Sequence, residues 1–201
     1  MRESSGGTGA VLLLTNNENT DGFRGWLEGC ESSVIVLSDP LDAGKASSIA
    51  PSFAVSFNYR HIIRSEAIKS MGCPIVNVHC SVLPWNRGAS PNFFSYYENT
   101  PKGVTVHELT ADLDKGDILL QSIMDLDERE TFASSYDKLI KRAHEMLIEN
   151  WQALRTGELR GIAQPVGGSY HSMADLKAVR AKYPFKWEDR ISAWKERYGL
   201  E

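Results

Sequence analysis

Pro74-Ile75-Val76-Asn77-Val78-His79 follows a helical stretch, Ser65 to Met71, that stops at Gly72. A glycine just past the last helical residue is the usual left-handed stop. The run behind it is short, β-branched and apolar, interrupted by Asn77, so the segment reads as helix, turn and strand. The same alternation recurs upstream. Ala10–Thr15, Ser33–Ser38 and Phe53–Phe57 read as three earlier strands, separated by weaker helical stretches at Thr20 to Glu28 and Pro40 to Ala50. Continuous apolar runs, rather than strict apolar–polar alternation, mark strands covered on both faces. Strand alternating with helix predicts an α/β fold with a doubly wound, mostly parallel sheet.

Past His79 the pattern changes. Ser81 to Gly88 is a loop. Ser90-Pro91 opens a helix that runs to about Glu98, with Ser90 expected as N-cap and Pro91 in the first helical position. Val104–Leu109 and Ile118–Met124 are two further strands, separated by an acidic loop, Thr110 to Gly116. Thr131 to Thr156 reads as one long helix with a buried stripe of Tyr136, Leu139, Ile140, Ala143, Leu147, Trp151 and Leu154. His144 falls between stripe positions and is expected to be solvated. The tail has a Gly167-Gly168 turn and helical pieces around Ala174–Ala181 and Trp187–Tyr198. Trp187 and Trp194 are spaced to share a packing face, or a homodimer contact. The expected division is a leader at 1–9, a principal domain at 10–160 and a C-terminal extension of short helices at 161–201.

The chain has 201 residues, enough for one domain with a small appendage. Its 22 Lys and Arg against 26 Asp and Glu give a net charge of −4, which argues against a nucleic-acid partner. The longest apolar run, Ala10 to Leu14, falls far short of the roughly 20 residues of a membrane helix. Three cysteines without framework spacing point to a reducing, cytoplasmic compartment. His79, Cys80 and His107 have no metal-ligand spacing, so no metal is expected.

Open α/β sheets bind ligands beyond the carboxyl ends of their strands. Three segments meet that rule: Asn58-Tyr59-Arg60, Asn77-Val78-His79 and the acidic loop. Residues two apart on a strand share a face, so Asn77 and His79 project together. An amide that stabilises a developing oxyanion beside an imidazole that takes a proton suits acyl transfer. Asp112, Asp114 and Asp117 are the candidate carboxylates to orient the imidazole. An asparagine and a histidine near a strand end are also ordinary loop-capping or core polar residues. Other chemistries find less support. Gly6-Gly7-Thr8-Gly9 precedes the first strand, whereas a dinucleotide fingerprint follows one. The turn Asn16-Asn17-Glu18-Asn19 lacks glycine and carries an acid, which disfavours phosphate. A hydrolase built on Ser81, His79 and Asp114 would lack the Gly-x-Ser-x-Gly elbow.

The stretch from Val76 to Gln121 resembles the folate-dependent formyltransferase family. The motifs that carry the likeness are Asn77-Val78-His79, the loop Ser81-Val82-Leu83-Pro84-Trp85-Asn86-Arg87-Gly88, the strand Gly103-Val104-Thr105-Val106-His107, then Asp114-Lys115-Gly116 and Gln121. Many members have proline after the catalytic histidine; here it is Cys80. The resemblance implies a Rossmann-like formyltransferase fold with 10–160 as its catalytic domain. It also implies a catalytic trio of Asn77, His79 and Asp114, with 10-formyltetrahydrofolate as donor. The folate pocket falls on Tyr59, Arg60, His61 and Ile62 on one side and Thr110, Ala111 and Asp112 on the other. Asn16, Trp85, Asn86, Arg87 and Gly88 are the implied acceptor-binding positions. Leu83 to Gly88 and Thr100 to Thr105 look like amino-sugar N-formyltransferases, and also like formylation domains of peptide synthetases. The implied reaction moves a formyl group to a primary amine of a small acceptor, a nucleotide-linked amino sugar. Methionyl-tRNA, glycinamide ribonucleotide and a carrier-bound amino acid are the alternative acceptors, and a folate-binding module without turnover is the alternative class. Gly167-Gly168-Ser169-Tyr170-His171 resembles a turn found in short members.

Overall fold

The computed structural model describes residues 9–200; Met1 to Thr8, nearly all of the expected leader, lie outside them. Six strands form one sheet: β1 (Val11–Leu14), β2 (Val34–Leu37), β3 (Phe53–Phe57), β4 (Ile75–His79), β6 (Gly103–Glu108) and β7 (Ile118–Ile123). Their order is β2-β1-β3-β4-β6-β7. The first four are parallel, and β6 and β7 run antiparallel. β5 (Arg87–Gly88) and β8 (Tyr170–His171) make a separate two-stranded ladder.

β1 shows why the strands lack alternation. Val11 and Leu13 join one apolar cluster and Leu12 and Leu14 the other, all fully buried. Side chains two apart share a face, so both faces are covered. α1 (Asp21–Cys30) and α5 (Phe132–Glu149) pack one face through Phe23, Leu27, Leu139, Ala143 and Leu147. α2 (Ala43–Ile49) and α3 (Ser65–Met71) pack the other through Ala46, Ala67 and Met71. Gly72 ends α3 at φ 64°, as its position foretold.

Four local expectations are corrected. The long helix is two: α5 stops at Asn150 and α6 (Trp151–Thr156) follows. Asn150 Nδ2 donates to the Met146 carbonyl at 2.9 Å, a local bond that competes with the helix ladder. Ser90 precedes α4 (Pro91–Tyr97) in the left-handed region, φ 48°, and gives no side-chain cap. His144 is half-buried rather than solvated: it packs against Phe23 and Phe57, and burial holds its pKa below the usual value. Trp187 and Trp194 do not lie on one helix. α8 spans Ile191–Tyr198 and buries Trp194 among Phe93, Phe132 and Phe185, while Trp187 sits in the preceding turn. That turn is tied to the start of α5, Ala133 N–H donating to the Trp187 carbonyl at 2.9 Å.

The segment after α6 returns to the sheet. Ile162 bridges Ile118 at the free edge of β7, and Tyr170–His171 pairs with Arg87–Gly88 ahead of α7 (Met173–Lys182). Gly168 makes the turn possible: at φ 85° it lies so close to Pro84 that a Cβ would sit 2.0 Å from the Pro84 carbonyl oxygen. Among the described residues no helix is long and apolar enough to cross a membrane.

Candidate active site

β3 and β4 run in register, Ser56 beside Asn77, and their carboxyl ends open into a cavity of about 920 Å³. β6 lies antiparallel on the other side of β4 and sets His107 directly opposite Asn77. The chain then turns through the acidic loop and brings Asp114 back over both. Asn77 Nδ2 donates to His107 Nε2 at 3.2 Å and to Asp114 Oδ1 at 3.3 Å. Both N–H groups of the amide are used, in bonds long enough to be exchanged for a stronger acceptor. His107 Nδ1 donates to the Glu108 carbonyl at 2.8 Å, which leaves Nε2 as the acceptor for Asn77.

His79 is 6% exposed. Its Nε2 donates to the Asn86 carbonyl at 2.8 Å. Its Nδ1 faces Asp114 Oδ2 at 3.6 Å. One ring nitrogen is thus committed to the backbone and the other is turned to the carboxylate.

Asp114 holds a left-handed backbone, φ 52°, uncommon for a residue with a side chain. Its Oδ2 accepts from the Gly88 N–H at 2.8 Å. Burial would push its carboxyl up. The interaction with His79, the contact with His107 and the Gly88 N–H outweigh that and hold the carboxyl well below the usual carboxylate range. Two residues on, a Cβ on Gly116 would lie 1.8 Å from the Glu108 carbonyl oxygen, so the loop closes tightly only with glycine there.

Asn77, His79 and Asp114, singled out in the sequence, therefore meet at one point. Asp112 also lines the cavity; Asp117 does not. Tyr59, Arg60, His61 and Ile62 line one side together with Thr110, Ala111 and Asp112. Of the five positions expected to face an acceptor, only Gly88 lines the cavity. Asn86 is fully buried, and its Nδ2 donates to Thr100 Oγ1 at 2.6 Å. Arg87 turns away to Gln164, with Nε and Nη2 at 3.1 and 2.9 Å from Oε1. Asn16 bridges two loops, donating to the Ser38 carbonyl and accepting from the Arg60 N–H. Trp85 is partly exposed away from the cavity, and its carbonyl accepts from Ser81 Oγ at 2.7 Å.

Tyr136 and Trp187, ring centroids 6.1 Å apart, were expected only as packing residues, yet they complete the walls with Asn17, Asn19 and Asn58 on the α5 side. Tyr136 OH donates to Asn58 Oδ1 at 3.0 Å. His107 could have been found from the strand register. Trp187 could not, because its approach depends on the path of the tail.

The set offers an amide donor, an imidazole and a carboxylate, but no nucleophile. Ser81 Oγ is buried and committed to the Trp85 carbonyl. Burial pushes the Cys80 thiol up to about 12, too high for a thiolate at neutral pH. Among the described residues no group of three His, Cys, Asp or Glu could hold a metal ion. Such a site suits direct transfer of an acyl group to an incoming amine.

Residues 36–151 match the model of the formyl transferase family. The chain belongs to that family. This formyltransferase is 34% identical to formyltransferase PseJ from Anoxybacillus kamchatkensis. That crystal structure holds UDP-4,6-dideoxy-4-formamido-L-AltNAc and tetrahydrofolate, and the two superpose with a TM-score of 0.84 over 92% of this chain and 97% of that one. It is 24% identical to dTDP-4-amino-4,6-dideoxyglucose formyltransferase of Mycobacterium bovis, across 85% of this chain and 77% of that protein. It is 32% identical to methionyl-tRNA formyltransferase of Bacillus mycoides over 75% of its own length, but spans only 45% of that relative. The mostly parallel sheet with flanking helices matches the fold of these formyltransferases.

Proposed function

We propose that this enzyme moves the formyl group of 10-formyltetrahydrofolate to the primary amine of a nucleotide-linked amino sugar, with a 4-amino-4,6-dideoxy sugar as the preferred acceptor. The observation that carries this reading is the meeting of Asn77, His79 and Asp114 on the floor of a cavity with two unlike sides. One side, Tyr59 to Ile62 and Thr110 to Leu113, exposes Ile62 and Leu113, at 79% and 47%, to the mouth of the cavity. Apolar edges of that kind fit a flat pterin ring, so these loops would hold the folate. The other side, with Tyr136, Trp187 and the three asparagines, offers aromatic faces and amides to an acceptor. The likeness to a nearly full-length structure holding a formamido sugar nucleotide and tetrahydrofolate supports the assignment.

The folate supplies an activated formyl carbon to the attacking amine. In this reading Asn77 Nδ2 donates to the oxygen that gains charge at that carbon. His79 takes the amine proton at Nδ1, since Nε2 is committed to the Asn86 carbonyl. Asp114 stays ionised and stabilises the resulting imidazolium, which gives the proton to N10 of the folate as the bond from that nitrogen to the formyl carbon breaks and tetrahydrofolate leaves. Residues 10–160 supply the reacting groups, and the extension from 161 adds Trp187 to the cavity wall. Three free cysteines, one of them buried with a raised pKa, fit a cytoplasmic enzyme.

The test is turnover of 10-formyltetrahydrofolate with UDP- and dTDP-linked 4-amino-4,6-dideoxy sugars, glycinamide ribonucleotide, a carrier-bound amino acid and initiator methionyl-tRNA. The formylated sugar nucleotide, identified by mass, is the expected product. Preferential formylation of methionyl-tRNA would overturn the acceptor assignment. The net charge of −4 argues against that outcome.

A further inference from the structure

The segment from Gly161 to Tyr170 gains little from burial. Ile162 is 72% exposed, Tyr170 56%, and Val166 lies entirely in solvent. Polar bonds hold it instead, and four of them converge on Gln164. Its Nε2 donates to the Asp114 carbonyl at 2.8 Å and to the Gly116 carbonyl at 2.9 Å. Its Oε1 accepts from Arg87 Nε and Nη2. Arg87 also donates through Nη1 to the Gly167 carbonyl and through its backbone N–H to the Ser169 carbonyl.

These bonds close a ring around the carboxylate. Gly88 N–H holds the side chain of Asp114, and Gln164 holds its backbone. Arg87 and Gly88 are neighbours on β5, so both restraints start from the same short strand. A left-handed aspartate persists only where its surroundings over-determine it. Gln164 spans the two carbonyls that bracket the Asp114-Lys115-Gly116 turn and so meets that requirement.

We infer that Gln164, held by Arg87, is a positioning residue that fixes the Asp114 turn, so that the tail of the chain is part of the catalytic apparatus. Gln164 and Arg87 are absent from the cavity wall, so they act through Asp114 and not on a ligand. The inference rests on the proposed role of Asp114 in formyl transfer.

Two measurements test it. In steady-state kinetics Gln164→Ala should lower kcat about 10²-fold, the scale of an ångström-level misplacement, with both KM values within about threefold. Gln164→Glu keeps the length and the Arg87 contact but removes the donor and sets a carboxylate against the two carbonyls; its kcat should fall at least as far. In an Asp114→Ala background Gln164→Ala should cost nothing more, because both act through one group. The second measurement needs no acceptor. Hydrogen exchange of the peptide covering 110–117 should quicken about tenfold in Gln164→Ala, with β4 amides unchanged. Unchanged exchange in that peptide overturns the inference whatever the substrate proves to be. So does a full additional loss in the Asp114→Ala background. Absence of turnover by the wild type counts against the formyl-transfer reading alone, and the exchange result still decides the inference.

Discussion

His79 is anchored to Asn86, seven residues further along the chain, by a 2.8 Å bond from Nε2 to a backbone carbonyl. The loop between them therefore sets the tautomer of the ring and leaves Nδ1 facing Asp114. His79→Ala should lower kcat by ~10²–10⁴, the range for loss of a general base, with the donor KM little changed. Single-turnover formylation under saturating donor checks it; near wild-type turnover would remove His79 from the chemistry.

Asn86 serves the fold and the site together. It sits at φ 56°, which asparagine tolerates better than alanine. Its buried Nδ2 donates to Thr100, and its Oδ1 accepts from Ser169 Oγ at 3.2 Å. Asn86→Ala should cost about 1–3 kcal/mol by stranding buried partners, a drop of several degrees in Tm. It should lower kcat through the shifted carbonyl and leave the acceptor KM unchanged. A selective rise in acceptor KM would restore Asn86 as a substrate contact.

Asp114 makes the stability of the fold depend on acid. Its folded pKa is depressed, so its contribution is fully present above the unfolded carboxylate value of about 4. The contribution declines as pH falls below that value and is gone below the folded pKa. Asp114→Asn cannot titrate. The Tm difference between wild type and Asp114→Asn should therefore change between pH 5 and pH 2, in the direction of relative wild-type loss, and stay flat from pH 6 to 8. Scanning calorimetry across that range settles the sign.

The aromatic side of the cavity should act on one substrate only. Trp187 is 43% exposed and packs on Tyr136. Trp187→Ala should raise the acceptor KM about tenfold, the loss of ~1–1.5 kcal/mol of aromatic contact. The folate KM should not move. Equal rises in both would mean that the two sides are not divided between the substrates.

The strands were legible because both faces of the sheet are covered, so that β1 carries an unbroken apolar run and β3 one interrupted only by Ser56. Asn77 and His79 were legible because period two aligns them, and Gly72 because a left-handed stop favours glycine. What stayed hidden depends on distant contacts. Asn150 breaks the helix through a local bond to Met146, but the apolar stripe runs on across it and hides the break. The wrong expectation for Ser90 came from a sound local rule, overridden by the turn out of β5. Asn86 and Arg87 looked like acceptor contacts in sequence. Their side chains are claimed by Thr100, Ser169 and Gln164, up to 83 residues away.

The pairing of Arg87–Gly88 with Tyr170–His171 also orders events in time. A ribosome makes the histidine and its loop long before it makes the residues that brace them, and pairings of such wide sequence separation form late. A nascent chain that has just passed α5 already carries Asn77, His79 and Asp114 but lacks the strand that braces their loop. Competence should arrive abruptly, when the stretch around Gln164 to His171 emerges and docks.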